Sequence, residues 1–131
     1  MQGMGTWHRM MGMAGVLVFL GTGVYLLTHF PELHGGNAGI RYQFRANHAY
    51  ILLSSLINWG VGIYIVAKEA GWRRAAQRFG SVLLLAAPAV LVVAFFTEPA
   101  RALPERPLTT LGMVLLLGAT VLHALARGRL G

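Results

Sequence analysis

The sequence predicts an all-α integral membrane protein, a single domain folded as a four-helix transmembrane bundle. Three observations support this: an apolar composition, four uncharged apolar runs, and small residues that recur on one face of every run. Of the 131 residues, 56% are hydrophobic and 11% are charged, whereas soluble domains have about 45–50% and about 25%. The chain therefore has too few polar side chains to cover the surface of a soluble domain.

The four apolar runs are predicted to be the membrane spans. They cover about residues 10–30, 49–67, 79–96 and 108–126, and none contains Asp, Glu, Lys or Arg. Each has roughly the 17–25 residues that a helix needs to cross a bilayer. Helices are expected because lipid offers no hydrogen-bond partner to an open sheet edge. Pro88 is expected to kink the third span, since it removes one backbone hydrogen bond.

The distribution of basic residues predicts the orientation of the spans. Four spans place both termini on the same side of the membrane. That side carries seven of the eleven basic residues, which are Arg9, Lys68, Arg73, Arg74, Arg78, Arg127 and Arg129. Basic residues favour the cytoplasmic side, so we expect both termini to be cytoplasmic. The rich use of Gly, Ala and Arg is compatible with a bacterial inner membrane.

Small residues spaced seven apart predict how the helices pack. Seven residues return a side chain to nearly the same face of a helix, and small side chains let helix backbones approach closely in lipid. We therefore expect a tight left-handed bundle. The residues of this seam are Gly15, Thr22, Ser55, Gly62, Gly80, Ala87, Ala94, Gly112, Ala119 and Ala126.

Asn58 lies in the middle of the second apolar run. An unpaired amide at this depth costs several kcal/mol, so it should face the bundle. Its expected partners are Thr22, another hydroxyl, or a backbone carbonyl that Pro88 leaves unpaired. Ser55 lies on the seam close to it. Asn58 is interpreted either as an interhelical hydrogen-bonding residue or as a ligand or quinone contact.

The polar segment before the second run is predicted to be a lid and a cap. His48 is expected at the extracytoplasmic start of the helix, facing the first helix near His29, with Asn47 or a neighbour as the N-cap. Arginines of the loop are expected to pair with glutamates at the same membrane face. The residues of these ion pairs are Arg41, Arg45, Glu32, Glu98 and Glu105.

Five histidines raise a haem or metal hypothesis. Imidazole and carboxylate together suit a borderline divalent metal, and two imidazoles can hold a b-type haem. The candidate ligands are His29, His34, His48 and Glu98 at one face and His123 near the other. Four arginines near the first group would repel a cation, which favours the ion pairs. His123 lies about one turn deeper than His8, so a pair of these two would need a tilt.

The composition excludes several classes of protein. The absence of Cys excludes disulfides, thiolate ligands and covalently attached haem. No phosphate-binding loop, nucleophile elbow or zinc-protease motif occurs. The basic residues that give the net charge of +7 are expected to contact anionic lipid rather than nucleic acid.

These features favour a non-enzymatic function within the bilayer. We expect a subunit, scaffold or assembly partner of a larger membrane complex, binding other membrane proteins or forming a homo-oligomer, without a cofactor. The alternative is a membrane protein of electron transfer that binds haem b or a divalent metal through histidines at the membrane faces.

Overall fold

The computed structural model describes residues 2–29, 36–66, 71–101 and 105–127. In this part of the chain there are four α-helices and one short 3-10 helix. They are α1 (Gln2–Thr28), α2 (Ala38–Tyr64), α3 (Trp72–Thr97), the 3-10 helix (Pro99–Arg101) and α4 (Pro107–Arg127). The prediction of an all-α fold is confirmed.

Three of the helices begin well before the apolar runs that predicted them. Hydropathy marks the apolar part of a helix, whereas the hydrogen-bonded backbone continues through polar flanks. α2 begins at Ala38 because the Asn37 side chain accepts a 3.1 Å hydrogen bond from the Ile40 amide, which is a typical N-cap. The expectation that Asn47 caps this helix is therefore wrong. Asn47 lies inside α2, and the polar segment before the second apolar run belongs to this helix from Ala38 onward.

Helices α1, α3 and α4 are long and apolar enough to cross a membrane. α2 has 27 residues but is not in this group. It is less apolar because it carries two exposed arginines near its start and a row of buried polar side chains further on. Those buried residues are Asn47, Ser54, Ser55 and Asn58, each 0% exposed.

The helices pack as two antiparallel hairpins. α1 lies along α2, where Gly12 is opposite Trp59 and Gly23 is opposite His48. α3 lies along α4, where Gly80 contacts Leu122. The two hairpins meet chiefly between α2 and α3. Within the described residues, no Cα atom of α1 comes within 8 Å of a Cα atom of α4, so the backbones of these two helices are not closely packed.

Small residues make the close contacts between paired helices, as the spacing predicted. All ten residues of the seam are buried. A Cβ atom added to Gly12 would lie 2.8 Å from the Ser55 oxygen and from the Trp59 nitrogen. At Gly62 it would lie 2.8 Å from the Gly5 oxygen. Because the obstructing atoms belong to backbone, these helices could not keep their separation with a larger residue.

Candidate functional site

The side chain of Asn58 joins three helices. It is 0% exposed, and its Nδ2 donates to the Ser54 oxygen at 3.0 Å and to the Leu84 oxygen at 2.9 Å. Leu84 lies four residues before Pro88, which has no N–H to offer this carbonyl. The Oδ1 atom lies 2.8 Å from Nδ1 of His8. Asn58 therefore links α2 to α3 and to α1.

These hydrogen bonds fix the tautomer of His8. Both hydrogens of the Asn58 amide are donated to backbone oxygens, so its Oδ1 is an acceptor and His8 Nδ1 carries the proton. In a neutral imidazole the other nitrogen then presents a lone pair. That nitrogen, Nε2, is buried and has no hydrogen-bond partner among the described residues.

His123 of α4 lies against this imidazole. The two ring centroids are 6.0 Å apart, with an interplanar angle of 80°. His123 Nε2 also lies 3.3 Å from the Ser81 hydroxyl oxygen of α3. The difference in depth that argued against this pair does not keep the two rings apart, and His8 lies inside α1. We call His8, Asn58, Ser81 and His123 the histidine cluster.

The histidine cluster connects all four helices at one end of the fold. The contact between His8 and His123 bridges α1 and α4, whose backbones stay apart. A cavity of about 490 Å³ lies beside it, between the end of α2, the start of α3 and the end of α4. Its lining includes His123, Gln77, Tyr64, Thr120 and Arg127.

His48 faces α1, although it lies ten residues inside α2 instead of at its start. Its Nδ1 is 2.9 Å from the Thr22 hydroxyl, and its ring stacks on Phe19 with centroids 4.0 Å apart. The Thr22 hydroxyl donates to the Phe19 oxygen, so it accepts from the N–H of His48. Thr22 thus bonds to His48, and Asn58 has other partners.

His29 follows the last residue of α1 and is exposed. It lies 2.7 Å from the Thr28 hydroxyl and stacks on Tyr25 with centroids 5.3 Å apart. These partners are residues of α1, and His48 is not among them. His34 and Glu32 lie outside the described residues. In the described part of the chain, no group of three or more His, Cys, Asp or Glu could hold a metal ion.

Glu98 is 2% exposed and caps α4. Its carboxylate accepts from the Leu108 amide at 2.5 Å, from the Thr109 amide at 3.2 Å and from the Thr109 hydroxyl at 2.5 Å. The Asn47 side-chain oxygen is 2.9 Å from the same hydroxyl and also accepts from the Arg106 guanidinium. Backbone amides therefore occupy a carboxylate that was expected to bind metal or arginine.

The ion pairs predicted for the lid stay a prediction, because Glu32 lies outside the described residues. Arg41 and Arg45 are exposed on the first turns of α2, and Glu105 is exposed before α4. Arg106, one of the four arginines expected to pair with the glutamates of this face, donates to the Asn47 side-chain oxygen beside Glu98. Ser55 donates to the Ile51 oxygen of its own helix at 2.6 Å and packs against Gly15.

The sequence analysis set His8 aside as a partner of His123 because of the difference in depth, and it did not consider Ser81. A signal for His8 exists, since it lies seven residues before Gly15 on the small-residue face of α1. Comparison with protein-family models, with curated proteins and with solved structures finds no match.

Proposed function

We propose that this chain is a small integral membrane protein that acts as a subunit, scaffold or assembly partner of a larger membrane complex. The observation that carries the proposal is the open outer surface of the first and last helices. Only 17% of the apolar window of α1 and 22% of that of α4 is buried, against 44% in α3. These surfaces face lipid or the helices of a partner.

Glycines on the outer surface support partner helices over lipid alone. A Cβ atom added to Gly21 of α1, Gly60 of α2 or Gly118 of α4 would meet nothing within 4 Å. In a bilayer, close backbone approach at such small residues favours helix association. The buried polar groups, by contrast, mostly bond within the chain, as Asn58 and Glu98 do.

The proposal includes four spans in a bacterial inner membrane, with both termini cytoplasmic. A helix of 27 residues is about 40 Å long, more than the hydrocarbon core of about 30 Å. The polar side chains in the middle of α2 are buried against neighbouring helices, which shields them from lipid. Reporter fusions at residues 36 and 131 test the orientation. A periplasmic C-terminus would overturn it.

Photo-crosslinking from the outer face of α1 tests the assembly function. A crosslinking residue at Val24, which is 59% exposed, should capture a membrane protein or a second copy in native membranes. Gly21→Leu should weaken this crosslink, because the larger side chain fills the space at Gly21 where a partner helix would approach α1. Gly3→Leu is the matched control, because a Cβ there also meets nothing within 4 Å. Crosslinks to lipid alone would refute the proposal.

A second candidate is a haem- or metal-binding protein of electron transfer. The specific observation in its favour is the buried, unpartnered Nε2 of His8 beside His123. Two histidines can ligate one metal centre. An absorption spectrum of the purified protein distinguishes a haem protein from a protein that binds a metal ion alone, since haem b gives a Soret band. Absence of both haem and bound metal removes it.

A further inference from the structure

We propose that the histidine cluster binds a copper(I) ion through Nε2 of His8 and the imidazole of His123. This inference rests on the second candidate function and names its metal. A buried lone pair normally finds a donor, and His8 Nε2 has none among the described residues. A cation that accepts this lone pair would take the place of the missing hydrogen-bond donor.

The separation of the two imidazoles fits one ion. A metal bound at about 2.0–2.1 Å by two nitrogens holds them at most about 4 Å apart. The ring centroids of His8 and His123 are 6.0 Å apart. Ring nitrogens that face each other across this gap are closer than the centroids by the sum of the two ring radii, so they can share one ion. His123 is half-buried, and its Nε2 contact with Ser81 is long, at 3.3 Å. Rotation of this side chain can therefore turn a nitrogen toward His8.

Asn58 gives His8 the support that metal-binding histidines usually have. Such histidines donate their other ring N–H to an oxygen, which fixes the tautomer and the ring orientation. Here His8 Nδ1 donates to Asn58 Oδ1 at 2.8 Å. The same amide is held by Ser54 and Leu84 oxygens, so the acceptor cannot turn away. The lone pair of Nε2 is thus pre-organised.

The charge around the cluster favours a monovalent ion. Glu98 is engaged at the far end of α3, and Arg9 and Arg127 lie near the two histidines in sequence. No described carboxylate is therefore placed to neutralise a second positive charge. The Born cost of burying an ion rises with the square of its charge. Copper(I) is the transition-metal ion that combines a single charge with imidazole binding.

Methionines on the same face of α1 point to the same metal. Met4 and Met11 lie four residues before and three residues after His8, which places them one turn away on its face. Both are half-buried, whereas Met10 and Met13 are exposed. Thioether ligands select copper(I) over zinc and other harder divalent ions.

Competition with a chromogenic copper(I) chelator, under reducing conditions and with the full chain in mild detergent, tests the site. One copper(I) per chain is expected. His8→Asn keeps an amide that can donate to Asn58 but removes Nε2, so it should weaken binding by more than about 100-fold, beyond the usual effect of losing a supporting group. His29→Asn, at an exposed histidine, is the matched control and should bind as the wild type does.

Two further variants keep the test decisive if His8→Asn does not fold. His123→Leu should weaken copper(I) binding to a similar extent. Met11→Leu, which conserves volume, should weaken copper(I) binding while Met13→Leu leaves it unchanged. Wild-type affinity in both histidine variants, or a preference for zinc(II), overturns the proposal. A Soret band without copper(I) binding overturns copper but keeps the second candidate as a haem protein.

Discussion

The side-chain amide of Asn58 donates a 2.9 Å hydrogen bond to the main-chain oxygen of Leu84. In a regular helix that oxygen would accept from the residue four positions later, which here is Pro88. The asparagine of α2 therefore supplies the donor that the proline of α3 lacks. This matters in a bilayer, where no water reaches the vacant carbonyl.

The first prediction concerns this pairing. Asn58→Leu should lower the free energy of unfolding by about 1–3 kcal/mol, because it leaves buried polar groups unpaired. Pro88→Ala restores an N–H to the Leu84 oxygen, so the same asparagine substitution should cost less in that background. Thermal unfolding of both single variants and the double variant in detergent measures the coupling. Equal costs in both backgrounds would show that the two residues act independently.

The second prediction contrasts two glycines of α1. Gly12→Ala should destabilise the protein by about 1–3 kcal/mol, as overpacking typically does, because the new Cβ would lie 2.8 Å from backbone atoms of α2. Gly21→Ala should leave stability unchanged or raise it slightly, since nothing lies within 4 Å. Urea or heat unfolding of the two variants checks the difference. Similar losses in both would mean that α1 and α2 are not in close contact at Gly12.

The third prediction concerns the cap of α4. Glu98→Ala should cost about 0.5–2 kcal/mol, as loss of a helix cap does, and should increase amide exchange at Leu108 and Thr109. Those amides donate to its carboxylate at 2.5 Å and 3.2 Å. Glu105→Ala, at an exposed position, is the control. Unchanged exchange in the first variant would contradict the capping role.

The fourth prediction concerns the hydrogen bond between α1 and α2. Thr22→Val removes the oxygen that lies 2.9 Å from His48 Nδ1, which should lower the free energy of unfolding by about 0.6–2 kcal/mol, the contribution of such interhelical bonds in membranes. In this variant the chemical shift of the His48 Nδ1 proton should also change in NMR spectra of the histidine-labelled protein. Thr28→Val, which removes an exposed hydroxyl, should have little effect. An unshifted His48 signal would indicate another partner.

The sequence predicted the helices and their contact faces better than their ends or their polar partners. Spacing of seven marks one face of a helix whatever its neighbours are, so Gly62 and Ala119 could be recognised as buried. The start of α2 could not be found from hydropathy, because Asn37 caps a helix whose first turns carry Arg41 and Arg45.

The polar contacts depend on how helices far apart in sequence align. Asn47 meets Thr109 across 62 residues, and His8 meets Asn58 across 50. A shift of one turn in either helix pair would give different partners, and hydropathy does not fix an alignment to that precision. The carbonyl of Leu84 was easier to anticipate, because the position of Pro88 alone determines which oxygen lacks a donor.

The arrangement as two hairpins bears on how the protein is made. In the proposed four-span topology the helices enter the membrane in chain order, so α1 can pair with α2 before α3 has been synthesised. At that stage His8 can already occupy the Asn58 oxygen, while one amide hydrogen still lacks its interhelical acceptor. The arrival of α3 brings the vacant Leu84 carbonyl to that hydrogen. The second hairpin therefore supplies the acceptor that the Asn58 amide lacks in the first hairpin. The order of synthesis thus brings the donor into the membrane before its acceptor.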